Sequence, residues 1–108
     1  MLRIGIIDSG IMSNHPAFDK SIIKGIGLNI DSNGNVYETQ NYEDEIGHGT
    51  AVYYLISKNI KQADIVNIKI YRKNRSVSQL EFERYLEFIY NHYYFDVINI
   101  SMGLTTVR

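Results

Sequence analysis

Residues 96–101 read DVINIS, a nearly continuous apolar run that decides the fold of this 108-residue chain. A short run of this kind predicts a strand that is buried on both faces, as in a parallel sheet. Two earlier runs, residues 3–7 (RIGII) and 63–71 (ADIVNIKIY), have the same β-branched character. A fourth run, residues 25–30 (GIGLNI), leads into a turn-rich segment that predicts a small hairpin.

Helical patterns separate these strands. The first helix is predicted to begin after Gly47, and apolar residues at spacings of three and four mark its expected buried stripe: Ala51, Val52, Leu55 and Ile56. The second is predicted to open at Ser78, which forms a capping-box pattern with Glu81. Its expected buried face, with the residues that widen it, consists of Leu80, Phe82, Tyr85, Leu86, Phe88, Ile89 and Tyr93.

The alternation of strand and helix predicts one α/β domain over residues 1–108, with a parallel sheet and flanking helices. Ligands of such sheets bind at the carboxyl ends of the strands. Three turns are predicted to lie at that edge, at residues 8–10, 47–48 and 102–103. Their convergence indicates a functional site.

Composition excludes several classes of function. Hydrophobic residues make up 44% and charged residues 21%, values typical of a folded globular protein. The net charge of −1 predicts no nucleic-acid partner, and no apolar run approaches the roughly 20 residues that span a membrane. The absence of cysteine excludes disulfides, thiolate chemistry and zinc–thiolate sites.

Two residues form the candidate chemical pair. Asp8 directly follows an apolar strand, and His48 opens a helix within the sequence GHGT. A carboxylate that holds an imidazole in one tautomer produces a general base for a hydroxyl nucleophile. We expect Gly49, beside the histidine, to leave room for a passing substrate chain.

Three segments carry a family resemblance: IGIIDSGIMSNHPAF (residues 4–18), DEIGHGTAV (44–52) and DVINISMG (96–103). They resemble the N-terminal signature segments of subtilases, the serine endopeptidases whose catalytic triad runs in the order Asp, His, Ser. The resemblance implies a subtilisin-like three-layer α/β/α fold, truncated after the fourth core strand. Residues 1–108 would then be the N-terminal portion of a peptidase domain.

The resemblance also implies roles for individual residues. Asp8 corresponds to the triad aspartate and His48 to the general base, while the strand residues Ser101, Met102 and Gly103 correspond to those that pair with an extended peptide or protein substrate. No cofactor is expected. Ala17 stands where many subtilases place a calcium-binding aspartate, so we expect no tight calcium site of that type.

The serine and the oxyanion-hole asparagine of a subtilase come later than the segment that matches Gly103. None of the serines present lies in a Gly-Thr-Ser sequence that opens a helix. We therefore predict that this chain alone does not hydrolyse peptides, unless a C-terminal or partner half supplies the serine. The alternative is a non-catalytic module that binds an extended peptide or a partner chain. A third interpretation, Asp8 as a phospho-acceptor, leaves the GHGT sequence unexplained.

Further expectations concern partners, location and charge. With the chain ending at Arg108, an open apolar edge at residues 96–101 predicts self-association or a second chain. The start at Met1, two residues before the first strand, predicts a cytoplasmic protein.

We expect structural roles for His15 and His92. Two charged groups are expected to be solvated, the acidic Glu38, Glu43, Asp44 and Glu45 and the basic Lys69, Arg72, Lys73 and Arg75.

Overall fold

The computed structural model describes residues 1–100, so the predicted substrate-binding residues Ser101, Met102 and Gly103 lie outside the described residues. Five strands and two α-helices follow one another in this part of the chain: β1 (Leu2–Asp8), β2 (Lys24–Ile30), β3 (Val36–Thr39), α1 (His48–Asn59), β4 (Ala63–Lys69), α2 (Gln79–His92) and β5 (Val97–Ile100). Neither helix is long and apolar enough to cross a membrane.

The strands form one sheet in the order β3-β2-β4-β1-β5. Strand β3 is antiparallel to β2, and the other neighbours are parallel. The hairpin between β2 and β3 turns on Asp31, whose Oδ1 accepts hydrogen bonds from the amides of Asn33 and Asn35, each at 2.9 Å. This local bonding of a side chain to the following backbone is typical of turns. The predicted α/β fold with a parallel sheet is confirmed.

The two helices cover opposite faces of the sheet and give the predicted three layers. Alternation along β1 sends Ile6 into the core beneath α1 and Ile7 into the core beneath α2. The core on the α1 side is completed by Ile4, Ile11, Tyr53 and Ile65. The core on the α2 side is the larger and includes Leu28, Ile68, Ile70, Phe82, Tyr85 and Ile89.

The buried faces of the helices differ in part from the predicted ones. In α1 the residues that pack inward are Gly49, Thr50 and Tyr53, whereas Ala51 and Leu55 are exposed. The cause is the close approach of the start of α1 to the end of β1, which turns the face that carries Gly49 toward the sheet. In α2 Leu80 is also exposed, because it lies in the first turn, ahead of the core residues.

Strand β5 lies at the edge of the sheet. Its apolar residues are between 41% and 47% exposed, namely Val97, Ile98 and Ile100. The expected burial on both faces is therefore wrong for the described residues, because β5 pairs with β1 alone. Within the described residues, Val97–Ile100 form the open apolar edge that was expected.

Candidate active site

Asp8 is the last residue of β1, at the carboxyl edge of the sheet, and only 1% of it is exposed. Its carboxylate accepts a hydrogen bond from the amide of Ser9 at 2.7 Å. Its carbonyl oxygen accepts one from the amide of Ile70 at 2.9 Å, which extends the pairing with β4. The aspartate is thus fixed by both its side chain and its backbone.

His48 is the first residue of α1 and faces this carboxylate. Its Nδ1 lies 3.1 Å from Oδ1 and 3.0 Å from Oδ2 of Asp8. The imidazole is 43% exposed, whereas the aspartate is buried. The two candidate residues, 40 positions apart in sequence, therefore meet at hydrogen-bonding distance.

This geometry suits general-base chemistry. When Nδ1 carries the proton and donates a hydrogen bond to Asp8, the lone pair of Nε2 is left to accept a proton from another group. A carboxylate in this position can also stabilise an imidazolium. Because the imidazole is partly exposed, a reacting hydroxyl can reach it.

The carboxylate of Asp8 also affects Tyr71, which follows β4 and is 7% exposed. Burial is the main reason that the pKa of the Tyr71 phenol is raised, and the nearby charge of Asp8 raises it further. The phenol therefore stays protonated at neutral pH and can donate a hydrogen bond in this region.

Gly49 lies close to the turn that follows β1. A Cβ at this position would collide with the carbonyl oxygen of Gly10 and would lie 3.1 Å from Oγ of Ser9. The amide of Gly49 donates to that Oγ at 2.9 Å. The missing side chain thus allows α1 to pack against the turn after β1. The expectation that Gly49 also leaves room for a substrate chain stays a prediction.

Two charged residues that we expected to be solvated are buried beside the pair. Asp44 is 5% exposed and Lys69 is 1% exposed. Lys69 is the last residue of the interior strand β4, and its side chain lies on the sheet face covered by α1, so its ammonium does not reach water. The ammonium instead donates to the carbonyl oxygen of Glu43 and lies 3.4 Å from Oε1 of Glu45. Its place within a β-branched run was the sequence signal for burial.

The environment of Asp44 stabilises its charged form. Burial by itself raises the pKa of this carboxyl, but hydrogen bonds from Gly47, Thr50, Ile46 and Ser9 outweigh that effect, and the pKa lies below its ordinary value. From the sequence, Asp44 was expected to lie in a solvated acidic loop. The available signal was the lack of a capping side chain at Gly47, the residue that precedes the helix.

The remaining histidines make contacts with residues close to them in sequence. Nδ1 of His15 accepts from the amide of Ala17 at 3.1 Å, and Nδ1 of His92 lies 2.8 Å from the carbonyl oxygen of Phe88. These contacts agree with structural roles. Among residues 1–100, no group of three or more His, Asp or Glu side chains is arranged to hold a metal ion.

Comparison with known proteins matches residues 2–108 to the Subtilase family. The chain is also 32% identical over 91 residues to the subtilase-type proteinase RRT12 of Saccharomyces cerevisiae. That match covers 81% of this chain and 17% of the yeast protein, so the chain spans about a sixth of the length of this relative. No solved structure matches the chain significantly.

The family match covers almost the whole chain and includes both members of the Asp8–His48 pair. The family is one of serine peptidases, and the geometry at the carboxyl edge of the sheet is compatible with that chemistry. The chain belongs to the subtilase family.

Proposed function

We propose that this chain provides the aspartate and the histidine of a subtilisin-like serine endopeptidase. The observation that supports the proposal most strongly is the contact of His48 Nδ1 with both carboxylate oxygens of Asp8, at 3.0 and 3.1 Å. An imidazole that is held in this way by a buried carboxylate is the general base of a serine nucleophile.

In the proposed reaction, Nε2 of His48 takes the proton from a serine hydroxyl as the serine oxygen attacks the peptide carbonyl. Asp8 holds the ring in the required tautomer and stabilises its positive charge. His48 then returns the proton to the leaving amine, and a water molecule completes hydrolysis by the same route. The serine and the oxyanion-hole donor come from polypeptide beyond residues 1–108.

We also propose that Ser101, Met102 and Gly103 pair with the extended substrate, as their family counterparts do. They directly follow β5, which parallels β1. A backbone that continues from this strand suits substrate binding by strand addition.

Two surfaces support the proposal that further polypeptide packs against the described residues. The outer edge of β5 presents exposed Val97, Ile98 and Ile100. On the other side of the site, a groove of about 690 Å³ opens between α1 and the segment after β1, and its apolar lining includes Met12, Phe18, Ala51, Tyr54 and Leu55. We propose that the polypeptide bearing the serine, in the same chain or a second one, covers them.

The exposed edge of β5 also favours a second candidate, a non-catalytic module that binds an extended peptide or partner chain. Binding by strand addition needs that edge but does not need the Asp8–His48 pair. Retention of the pair in hydrogen-bonding geometry therefore favours the peptidase.

Labelling by a fluorophosphonate, which reacts with activated serines, tests the proposal. The protein is captured from its natural source with an antibody to this chain, labelled, and analysed by mass under denaturing conditions. We expect label on a longer polypeptide that contains these residues, or on a second polypeptide captured with them. A lone chain without label would contradict the peptidase proposal and leave the binding module.

A matched pair of variants makes this test specific. His48→Ala removes the proposed base and is expected to abolish labelling. His92→Ala removes a histidine whose ring contacts the end of its own helix, and it is expected to label as the wild type does. Equal labelling of the two variants would contradict the role proposed for His48.

A further inference from the structure

Asp44 is a buried charged group that the proposed mechanism does not use, although it lies at the start of the helix that carries His48. Its carboxylate accepts four hydrogen bonds from this short region. Oδ1 accepts from the amides of Ile46 at 2.9 Å and Gly47 at 2.8 Å, and Oδ2 accepts from the amide of Thr50 at 3.0 Å and its hydroxyl at 2.6 Å. Both oxygens are therefore engaged.

The backbone at the start of α1 explains why a remote carboxylate is needed. Gly47 is the residue at the N-cap; its φ is 103°, in the left-handed region, and it has no side chain to cap the helix. The first amides of a helix have no partners within it. Asp44, three positions before the cap, supplies a hydrogen-bond acceptor for the amide of Thr50. Its negative charge suits the positive end of the helix dipole.

Asp44 is also connected to the segment that carries Asp8. The hydroxyl of Thr50 donates to Asp44 and accepts from the amide of Met12 at 3.0 Å, which belongs to the segment after β1. The hydroxyl of Ser9, next to Asp8, accepts from the amide of Gly49 at 2.9 Å and helps to lower the pKa of the Asp44 carboxyl. The carboxylate thus ties the start of α1 to the end of β1.

The opposite side of the same turn is held by the sheet. The ammonium of Lys69 donates to the carbonyl oxygen of Glu43, directly before Asp44. Lys69 is paired in register with Asp8 across β1 and β4. The turn that precedes His48 is therefore fixed both from the helix and from the sheet.

We propose that Asp44 is a positioning residue that sets the orientation of the His48 imidazole toward Asp8. The relevance of this role to catalysis rests on the peptidase function proposed above. A contact of 3.0 Å between two side chains on different elements requires those elements to be fixed relative to each other. The hydrogen bonds of Asp44 supply that fixation.

The test measures the tautomer of the His48 ring in the full chain by ¹⁵N NMR of the imidazole. The bond to Asp8 requires the proton on Nδ1, whereas a ring released into water favours Nε2. Asp44→Asn keeps one acceptor oxygen and replaces the other, which bonds to Thr50, with a donor. We expect the Nε2–H fraction of His48 to rise at least about twofold in this variant.

Ser78→Ala is the matched control, because it removes a cap of comparable kind from α2, which does not carry the pair. It is expected to lower the melting temperature while leaving the His48 ring spectrum unchanged. An equal tautomer shift in the two variants would reduce Asp44 to a general contribution to stability and would overturn the proposal.

A second pair of variants serves if Asp44→Asn does not fold. Thr50→Ser keeps the hydroxyl that bonds to Asp44 and Met12, and Thr50→Val removes it at similar volume. We expect the wild-type ring spectrum in Thr50→Ser and the altered one in Thr50→Val. Wild-type spectra in both would overturn the proposal, whereas failure of fluorophosphonate labelling would affect the peptidase proposal alone.

Discussion

The two helices of the described chain begin in different ways. At α2 the cap is local: Oγ of Ser78 accepts from the amide of Glu81 at 3.1 Å, and the Glu81 carboxylate accepts from the amide of Ser78 at 3.0 Å. At α1 the capping carboxylate is Asp44, outside the helix, and the cap position itself is a glycine. The cap of α1 therefore also connects the start of this helix, which begins with His48, to the segment after β1 through Thr50 and Met12.

The largest effect is expected at the pair that the start of α1 carries. Asp8→Asn in the assembled, active protein replaces a charged acceptor with an amide and no longer enforces the Nδ1–H tautomer of His48. We expect kcat on a peptide substrate to fall about 10⁴-fold. Ser78→Ala, at the other helix start, should leave kcat unchanged. A loss of less than about tenfold in Asp8→Asn would contradict the proposed mechanism.

The next effect concerns the contact between α1 and β1. Gly49→Ala places a methyl group against Gly10 and Ser9, and we expect it to reduce the free energy of unfolding by about 1–3 kcal/mol in urea denaturation. Alanine is otherwise the better helix former by about 1 kcal/mol, so the sign of the change is informative. A more stable Gly49→Ala protein would show that the close approach is not restrictive.

A smaller and strictly local effect is expected at α2. Ser78→Ala removes half of the capping box and should cost about 1 kcal/mol of unfolding free energy. Hydrogen exchange should accelerate at the amide of Glu81, which loses its acceptor, but not at the amide of Thr50 in α1. Faster exchange at both amides would show that the two helix starts are coupled and would remove the contrast between them.

The smallest effect concerns the free energy of unfolding at acid pH. The pKa of Asp44 is lower in the folded chain than in the unfolded chain, where it is about 4. The charge of Asp44 therefore stabilises the fold at pH values above about 4, and this contribution is lost as the pH falls through the folded-state pKa. The difference in unfolding free energy between wild type and Asp44→Asn should therefore shrink below about pH 4. Urea titrations at several pH values test this, and a difference that grows in acid would contradict the assignment.

Features specified by local sequence were predictable. The capping box at Ser78, the turn between β2 and β3 and the strand-and-helix alternation depend on residues within a few positions of one another. The pair of Asp8 and His48 was found because each stands in a distinctive sequence setting, and family resemblance supplied their relation.

Features specified by packing between distant segments were not predictable. The role of Lys69 depends on which segment lies next to its strand, since its ammonium bonds to the carbonyl oxygen of Glu43, 26 residues away. The β-branched run around Lys69 indicated burial but not this partner. Gly49 was noticed, but its reason, the backbone of Gly10, is 39 residues away and visible only in the fold.

Mapping of the fluorophosphonate-labelled residue in protein captured with these residues tests the central claim most directly. The account predicts one modified serine, at the start of a helix in polypeptide beyond residues 1–108, and no modification in the His48→Ala variant. A modified serine within residues 1–108, or label that persists without His48, would contradict the claim that Asp8 and His48 form the base of a serine supplied from elsewhere.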